Sequence, residues 1–458
     1  MTSRGDALGW RRLGGEYAWN LAGIGVPAVA AVGAIGLAAR VVSPDRFALV
    51  ALVWSAVSWF GLLDLGLSRA LALRVTDAIA RDAITELRPL IWTALWGTLA
   101  LSLPVGLLGV VGAPLIVQQW AEVPAGLHAE AVGTIRWLAI AFPLVTAGIV
   151  IRGAFEGGRR FAFVNAARVP MAFASYLLPV AALMVWPNAS GAAMLICAVR
   201  GLYLLVQLRW LDHLGAAVRI PCAPDREAAR ALVRIGGWIA LSAICVPVLV
   251  QGDRLVLPFV APLVAFGWYA AVTETVMRIW MLTSVMQPVM LAALTTAQVQ
   301  EPARLTALLR TAIHTTGAIL LLPLLGIVFL RAQLLPAWLG PVYAAEADGV
   351  VTIVAAGVFA GGFAQLTYAV LQAAGRGAPV AVTHLLQVPV VLGALVLVAP
   401  RWGVEGVAVV FAARLLIDAR VLGLWSARTV PYAAAAGRAG AAWLAAGITA
   451  LIVVDRLI

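Results

Sequence analysis

The chain is 458 residues long, 63% hydrophobic and only 12% charged, with a mean hydropathy of +0.98. A soluble globular chain carries about 25% charged residues, so this composition excludes an aqueous globule and places the chain in a bilayer. The net charge of +11 comes from 32 basic residues, all of them arginine and spread over short connections, which excludes a nucleic-acid-binding face.

Arg11 and Arg12 precede the first apolar run, which is long enough to cross the membrane and stay there, so no cleavable leader is expected. A spanning helix needs about 20 apolar residues. By that measure, spans are expected near 17–39, 47–73, 88–112, 131–151, 164–186, 190–209, 231–251, 263–292, 311–330, 347–371, 378–399, 404–426 and 433–454, thirteen in all. The connections are short, the longest being 113–130 and 210–230, and none holds a soluble domain. Cys197, Cys222 and Cys245 are far apart, lack CxxC spacing and read as spectator thiols. With the N-terminus in the cytoplasm, that side collects Arg74, Arg81, Arg88, Arg159, Arg160, Arg209, Arg219, Arg226, Arg230 and others. The opposite side holds only Arg40, Arg46, Arg254, Arg331, Arg401 and Arg456. This is the positive-inside asymmetry, and it puts the C-terminus outside.

The chain repeats itself loosely. The Val-Pro pair ending at Pro27 recurs 220 positions on, Phe47 and Phe266 are 219 apart, Arg160 and Arg376 are 216 apart, and "RVP" (168–170) matches "QVP" (387–389) at 219. Four matches in order at nearly one offset imply two halves of six helices. Six is even, so the halves run the same way through the membrane, a parallel repeat that builds two lobes around a cavity.

"VSPDRFALVALVWSAVSWFGLLDLGLSRALA", "RGAFEGGRRFAFVNAARVP", "GDRLVLPFVAPLVAFGWYAA" and "WGVEGVAVVFAARLLIDA" resemble segments of bacterial polysaccharide flippases. The resemblance is to the O-antigen and polysaccharide branch of the multidrug/oligosaccharidyl-lipid/polysaccharide (MOP) exporter superfamily, and it covers residues 15 to about 425. It implies an all-α polytopic membrane protein, with two six-helix lobes in a V around a central cavity. The implied layout is a cytoplasmic segment 1–16, a first lobe 17–210, a cytoplasmic inter-lobe loop 211–230, a second lobe 231–427 and an additional helix within 428–458. It also implies a multi-pass protein of the bacterial inner membrane, whose cargo is an undecaprenyl-diphosphate-linked oligosaccharide. Membrane lipids, a polysaccharide polymerase and a chain-length regulator would be its neighbours.

An ionisable group within a span costs roughly 2.5–3.5 kcal/mol on insertion scales, so each one calls for a partner or a watery cavity. Glu274 and Arg278 lie four apart in the eighth span and share a face. They are either a self-neutralising pair or a cavity site, with Arg278 offered to a diphosphate. Their repeat counterparts are Ser55 and Trp59, so the fold does not require charge there. Asp64 breaks the symmetry too, its counterpart being Thr283. It has either a polar partner or a cavity role, while Arg69 snorkels to the headgroups. Arg200 and Arg414 each sit in the last helix of a half, as structural cations or as a symmetric pair lining the cavity. Arg152, beside Glu156, and Arg254, beside Asp253, could meet a diphosphate at the inner and outer mouths. His314 and His384 are assigned no role, and no cofactor or metal is expected.

Three functions compete. A lipid-linked oligosaccharide flippase suits arginine, whose planar fork binds diphosphate bidentately. A multidrug/cation antiporter would want acidic groups in excess, whereas arginine outnumbers them here. A membrane glycosyltransferase would want carboxylates or a metal site in a large extramembrane loop, and no loop is long enough.

Overall fold

The computed structural model describes residues 25, 27–60, 66–120, 123–300, 304–374, 376 and 378–457. Among them the regular structure is helical, with no strand. A bilayer core supplies no water to backbone groups, so the chain satisfies them within its own helices. In chain order these are α1 (Pro27–Val41), α2 (Pro44–Phe60), α3 (Leu67–Ala80), α4 (Leu87–Gln118), α5 (His128–Gly157), α6 (Phe161–Val185) and α7 (Ala189–Trp210). There follow α8 (Arg226–Val260), α9 (Leu263–Gln300), α10 (Leu305–Phe329), α11 (Arg331–Leu339), α12 (Pro341–Ala373), α13 (Ala378–Thr429) and α14 (Pro431–Leu457). Among the described residues eight helices are long and apolar enough to cross a membrane. In addition α8 and α9, at 35 and 38 residues, exceed the ~20 that a crossing needs. The chain is a multi-pass membrane protein.

Every expected span falls on a helix as far as the described residues reach, but one boundary differs. The expected span 47–73 is not one helix. α2 ends at Phe60, and α3 starts after Gly66, whose φ of 70° is left-handed and cannot continue an α-helix. The expected spans 378–399 and 404–426 both lie within α13 and are separated, as expected, at Gly403, whose φ of 55° and ψ of −144° are not helical.

Packing divides the chain into two compact units. The first takes residues 34–271 and 381–407. Its core lies between α3, α4, α5 and the start of α8, where Leu71, Val75, Ile91, Ile151 and Phe155 are buried. Apolar burial drives helices together poorly in lipid, so small residues and close packing do this work. A Cβ at Gly106 would lie 2.8 Å from the Ala139 carbonyl oxygen, so α4 and α5 approach backbone to backbone.

The second unit takes 1–33, 272–380 and 408–458. α12 is its central helix, with Val354, Val358 and Phe359 fully buried. α14 is built into this unit. Trp443 covers Gly317 of α10 and donates its Nε1 hydrogen to His314 Nδ1 at 2.8 Å. At the other end of α14, buried Arg331 bonds Asp348 Oδ1 at 2.8 Å and the Asp455 carbonyl at 3.1 Å, tying α11 to α12 and α14.

Candidate functional site

α5, α6 and α7 pack together in the first unit and bring three arginines to one region. Arg152 on α5 pairs with Glu156 one turn on, at 3.3 Å, with both side chains about 40% exposed. Arg168 on α6 lies within electrostatic reach of Arg152, Glu156 and Tyr203. Arg200 on α7 donates from Nη1 to Met171 Sδ of α6 at 3.0 Å and has Tyr176 and Tyr203 nearby. Neither Arg168 nor Arg200 makes an ion pair among the described residues. The cluster therefore holds three guanidinium groups against one carboxylate. Gln207, buried one turn beyond Tyr203, has no hydrogen-bond partner for its Oε1 among the described residues. The aromatic side of the region is fixed by Trp54 of α2, whose Nε1 donates to the Ser175 carbonyl at 3.2 Å and whose ring lies 5.5 Å from that of Tyr176.

The other charges are placed differently. Asp253 and Arg254 are both buried near the end of α8, and Tyr269 of α9 donates its hydroxyl to Asp253 Oδ2 at 2.6 Å. In the second unit, Arg278 donates from Nη2 to Glu274 Oε1 at 3.3 Å, their side chains 14% and 20% exposed. Arg414 and Asp418 are buried one turn apart at 3.9 Å. Arg200 and Arg414 are thus not equivalent: Arg414 has a carboxylate one turn on, where the first half has Leu204. Thr283, the repeat counterpart of Asp64, donates to Gln365 Oε1 at 2.8 Å. Asp64 itself lies outside the described residues, and Arg69 is exposed on α3.

Arg168, Asp418 and the Asp253–Tyr269 bond were not singled out in the sequence. For Arg168 a signal existed. It opens the "RVP" triplet whose repeat partner begins with neutral Gln387, the same asymmetry that marked Arg278.

Residues 15–294 match the polysaccharide biosynthesis protein family. A candidate O-antigen transporter from Shigella flexneri is 23% identical over 414 residues, which cover 88% of this chain and 95% of that one. An inward-facing multidrug resistance MATE family transporter of the MOP superfamily superposes with a TM-score of 0.74, at 16% identity over 89% of this chain and 95% of its own. The lipid II flippase MurJ in its inward closed conformation gives a TM-score of 0.71, at 10% identity over 95% and 96%. Both structures share the all-α membrane fold described above.

Proposed function

The chain belongs to the polysaccharide biosynthesis protein family of the MOP exporter superfamily, and on that footing we propose that it is a flippase for a polyprenyl-diphosphate-linked oligosaccharide. It carries this cargo by alternating access from the cytoplasmic to the periplasmic leaflet of a bacterial inner membrane, its N-terminus in the cytoplasm. The observation that carries the reading is the surplus of arginine on α5, α6 and α7, above all Arg168 and Arg200, which have no ion-pair partner among the described residues. Leaving two such cations in a span without an anion or water costs on the order of 5–7 kcal/mol on insertion scales. A diphosphate removes that cost, because its oxygens accept the paired N–H groups of a guanidinium. Tyr176, Tyr203 and Gln207 would offer hydroxyls and an amide to the sugars. The further candidate contacts are Arg152, Arg254, Arg414 and the Glu274–Arg278 pair.

A cation antiporter fits less well. Glu274 and Asp418 each pair with an arginine one turn away, so these carboxylates already have their counter-charge. The test is complementation of a strain lacking the gene. Arg168→Gln with Arg200→Gln should reach the parent's protein level in the membrane and abolish surface polysaccharide. Normal surface polysaccharide from the double variant would refute the role given to the cluster.

A further inference from the structure

The connection between α7 and α8 is strapped to α4. Arg88 donates from Nε and Nη2 to the carbonyls of Ile220 and Pro221, both at 2.9 Å. Trp92 and Trp96 donate their Nε1 hydrogens to the carbonyls of Val218 at 2.8 Å and Cys222 at 2.9 Å. Thr93 Oγ1 accepts from the Asp225 N–H at 2.8 Å. Positions 88, 92 and 96 recur every fourth residue and so share one face of the helix. Asp225 then caps α8, its Oδ1 accepting from Ala228 N–H at 2.7 Å.

The strap stands off α4 far enough to leave a groove of about 780 Å³, lined among others by Trp96, Gly97, Ala100, Cys222, Pro224 and Ala229. Its walls are almost wholly apolar. Trp96, Gly97 and Ala100 are exposed, and the exposed stripe continues along α4 through Leu107, Val111 and Leu115. From Trp96 to Leu115 is about 28 Å at 1.5 Å per residue, close to the ~30 Å of a hydrocarbon core. The groove is therefore the interfacial end of a lipid-facing stripe, at the depth where tryptophan settles. Exposed arginines flank the lining residues along the chain: Arg219 precedes Pro221 and Cys222, and Arg226 and Arg230 stand one turn apart on α8 on either side of Ala229, with the exposed carboxylates of Glu227 and the capping Asp225 beside them.

We propose that this groove binds an anionic glycerophospholipid. One acyl chain lies over Gly97 and Ala100, between Trp96 and the strap, and the phosphate meets Arg226 and Arg230. Apolar walls open to the bilayer select a lipid chain, and the arginines that flank the lining residues select an anionic headgroup, as basic pockets at the ends of spanning helices do. The site is separate from the arginine cluster and does not depend on the identity of the cargo. Its occupant would brace the segment that joins the two halves of the chain.

The test uses the full chain purified in detergent, with phosphatidylglycerol, phosphatidylcholine or undecaprenyl phosphate added. Retained lipid is read by native mass spectrometry and the thermal midpoint by tryptophan fluorescence. Phosphatidylglycerol should be retained and raise the midpoint more than phosphatidylcholine does. Gly97→Leu should abolish that difference, and a Cβ at Gly97 meets nothing within 4 Å, so α4 tolerates the plug. Arg226→Gln with Arg230→Gln should weaken phosphatidylglycerol binding roughly 30-fold and leave phosphatidylcholine unchanged. Should Gly97→Leu not accumulate, the charge variant decides alone. Three results would overturn the proposal: equal retention of the two phospholipids by the parent, undiminished phosphatidylglycerol binding by these variants, or displacement of phosphatidylglycerol by equimolar undecaprenyl phosphate.

Discussion

Replacing Glu274 and Arg278 together, by Glu274→Gln with Arg278→Met, separates helix glue from cargo contact. At 3.3 Å their attraction is about 5 kcal/mol at an effective dielectric near 20. Placing two charges in a span costs roughly 5–7 kcal/mol on insertion scales. The pair therefore nearly breaks even, and the double variant should lie within about 2 kcal/mol of the parent. Losing one partner is different, because a stranded buried charge costs about 3–5 kcal/mol. If the pair is only structural, each single variant should lose protein and the double should recover both protein and export. If Arg278 meets the diphosphate, cavity water hydrates it when Glu274 is gone. Glu274→Gln then inserts normally, and the double variant accumulates but does not export. We predict this second pattern, with Arg278→Lys restoring only part of the export because lysine offers a point charge and no fork. Membrane protein by immunoblot and surface glycan by lectin binding, read on both single variants and the double, decide it. A double variant that exports like the parent would refute the cargo role of Arg278.

Glu130, buried at the start of α5, accepts from the Ala189 N–H at 2.5 Å and from Arg46 Nε at 3.1 Å, stapling α2, α5 and α7. Glu130→Gln should cost about 1–3 kcal/mol, charge-assisted bonds being the stronger kind, and an unchanged thermal midpoint would mean the staple adds nothing. In Gly317→Val the new Cβ would lie 2.5 Å from the Trp443 ring. Forcing α10 and α14 apart should cost about 1–3 kcal/mol and shift tryptophan emission by breaking the bond to His314; an unaltered spectrum and midpoint would contradict the packing described. Reporter fusions after residues 120, 220 and 458 should read outside, inside and outside. An inside reading at 458 would lay α14 on the surface of the membrane and contradict thirteen crossings.

The spans were legible because the bilayer imposes a length and a composition that no other solvent demands. The break at Gly66 was not, since glycine is common in membrane helices and nothing local distinguishes one that turns left-handed from one that packs. Charges such as Arg200 and Arg278 stood out because they interrupt apolar runs. Their surroundings did so only when the partner lay one turn away, as Glu274 does; Asp418 was equally readable and was overlooked. Arg331 and Asp455 are 124 positions apart, and Asp253 meets Tyr269 across the α8–α9 junction, so only folding brings them together. Likewise the face formed by Arg88, Trp92 and Trp96 is visible in the spacing, while the strap it grips is not.

The most direct test is transport itself. The purified chain, reconstituted into liposomes with a fluorescent undecaprenyl-diphosphate-linked oligosaccharide in one leaflet, should carry the label to the other. The same vesicles carrying Arg168→Gln with Arg200→Gln, at equal protein content, should lose that activity. Failure of the parent to move the lipid-linked oligosaccharide, or undiminished transport by the double variant, would contradict the account.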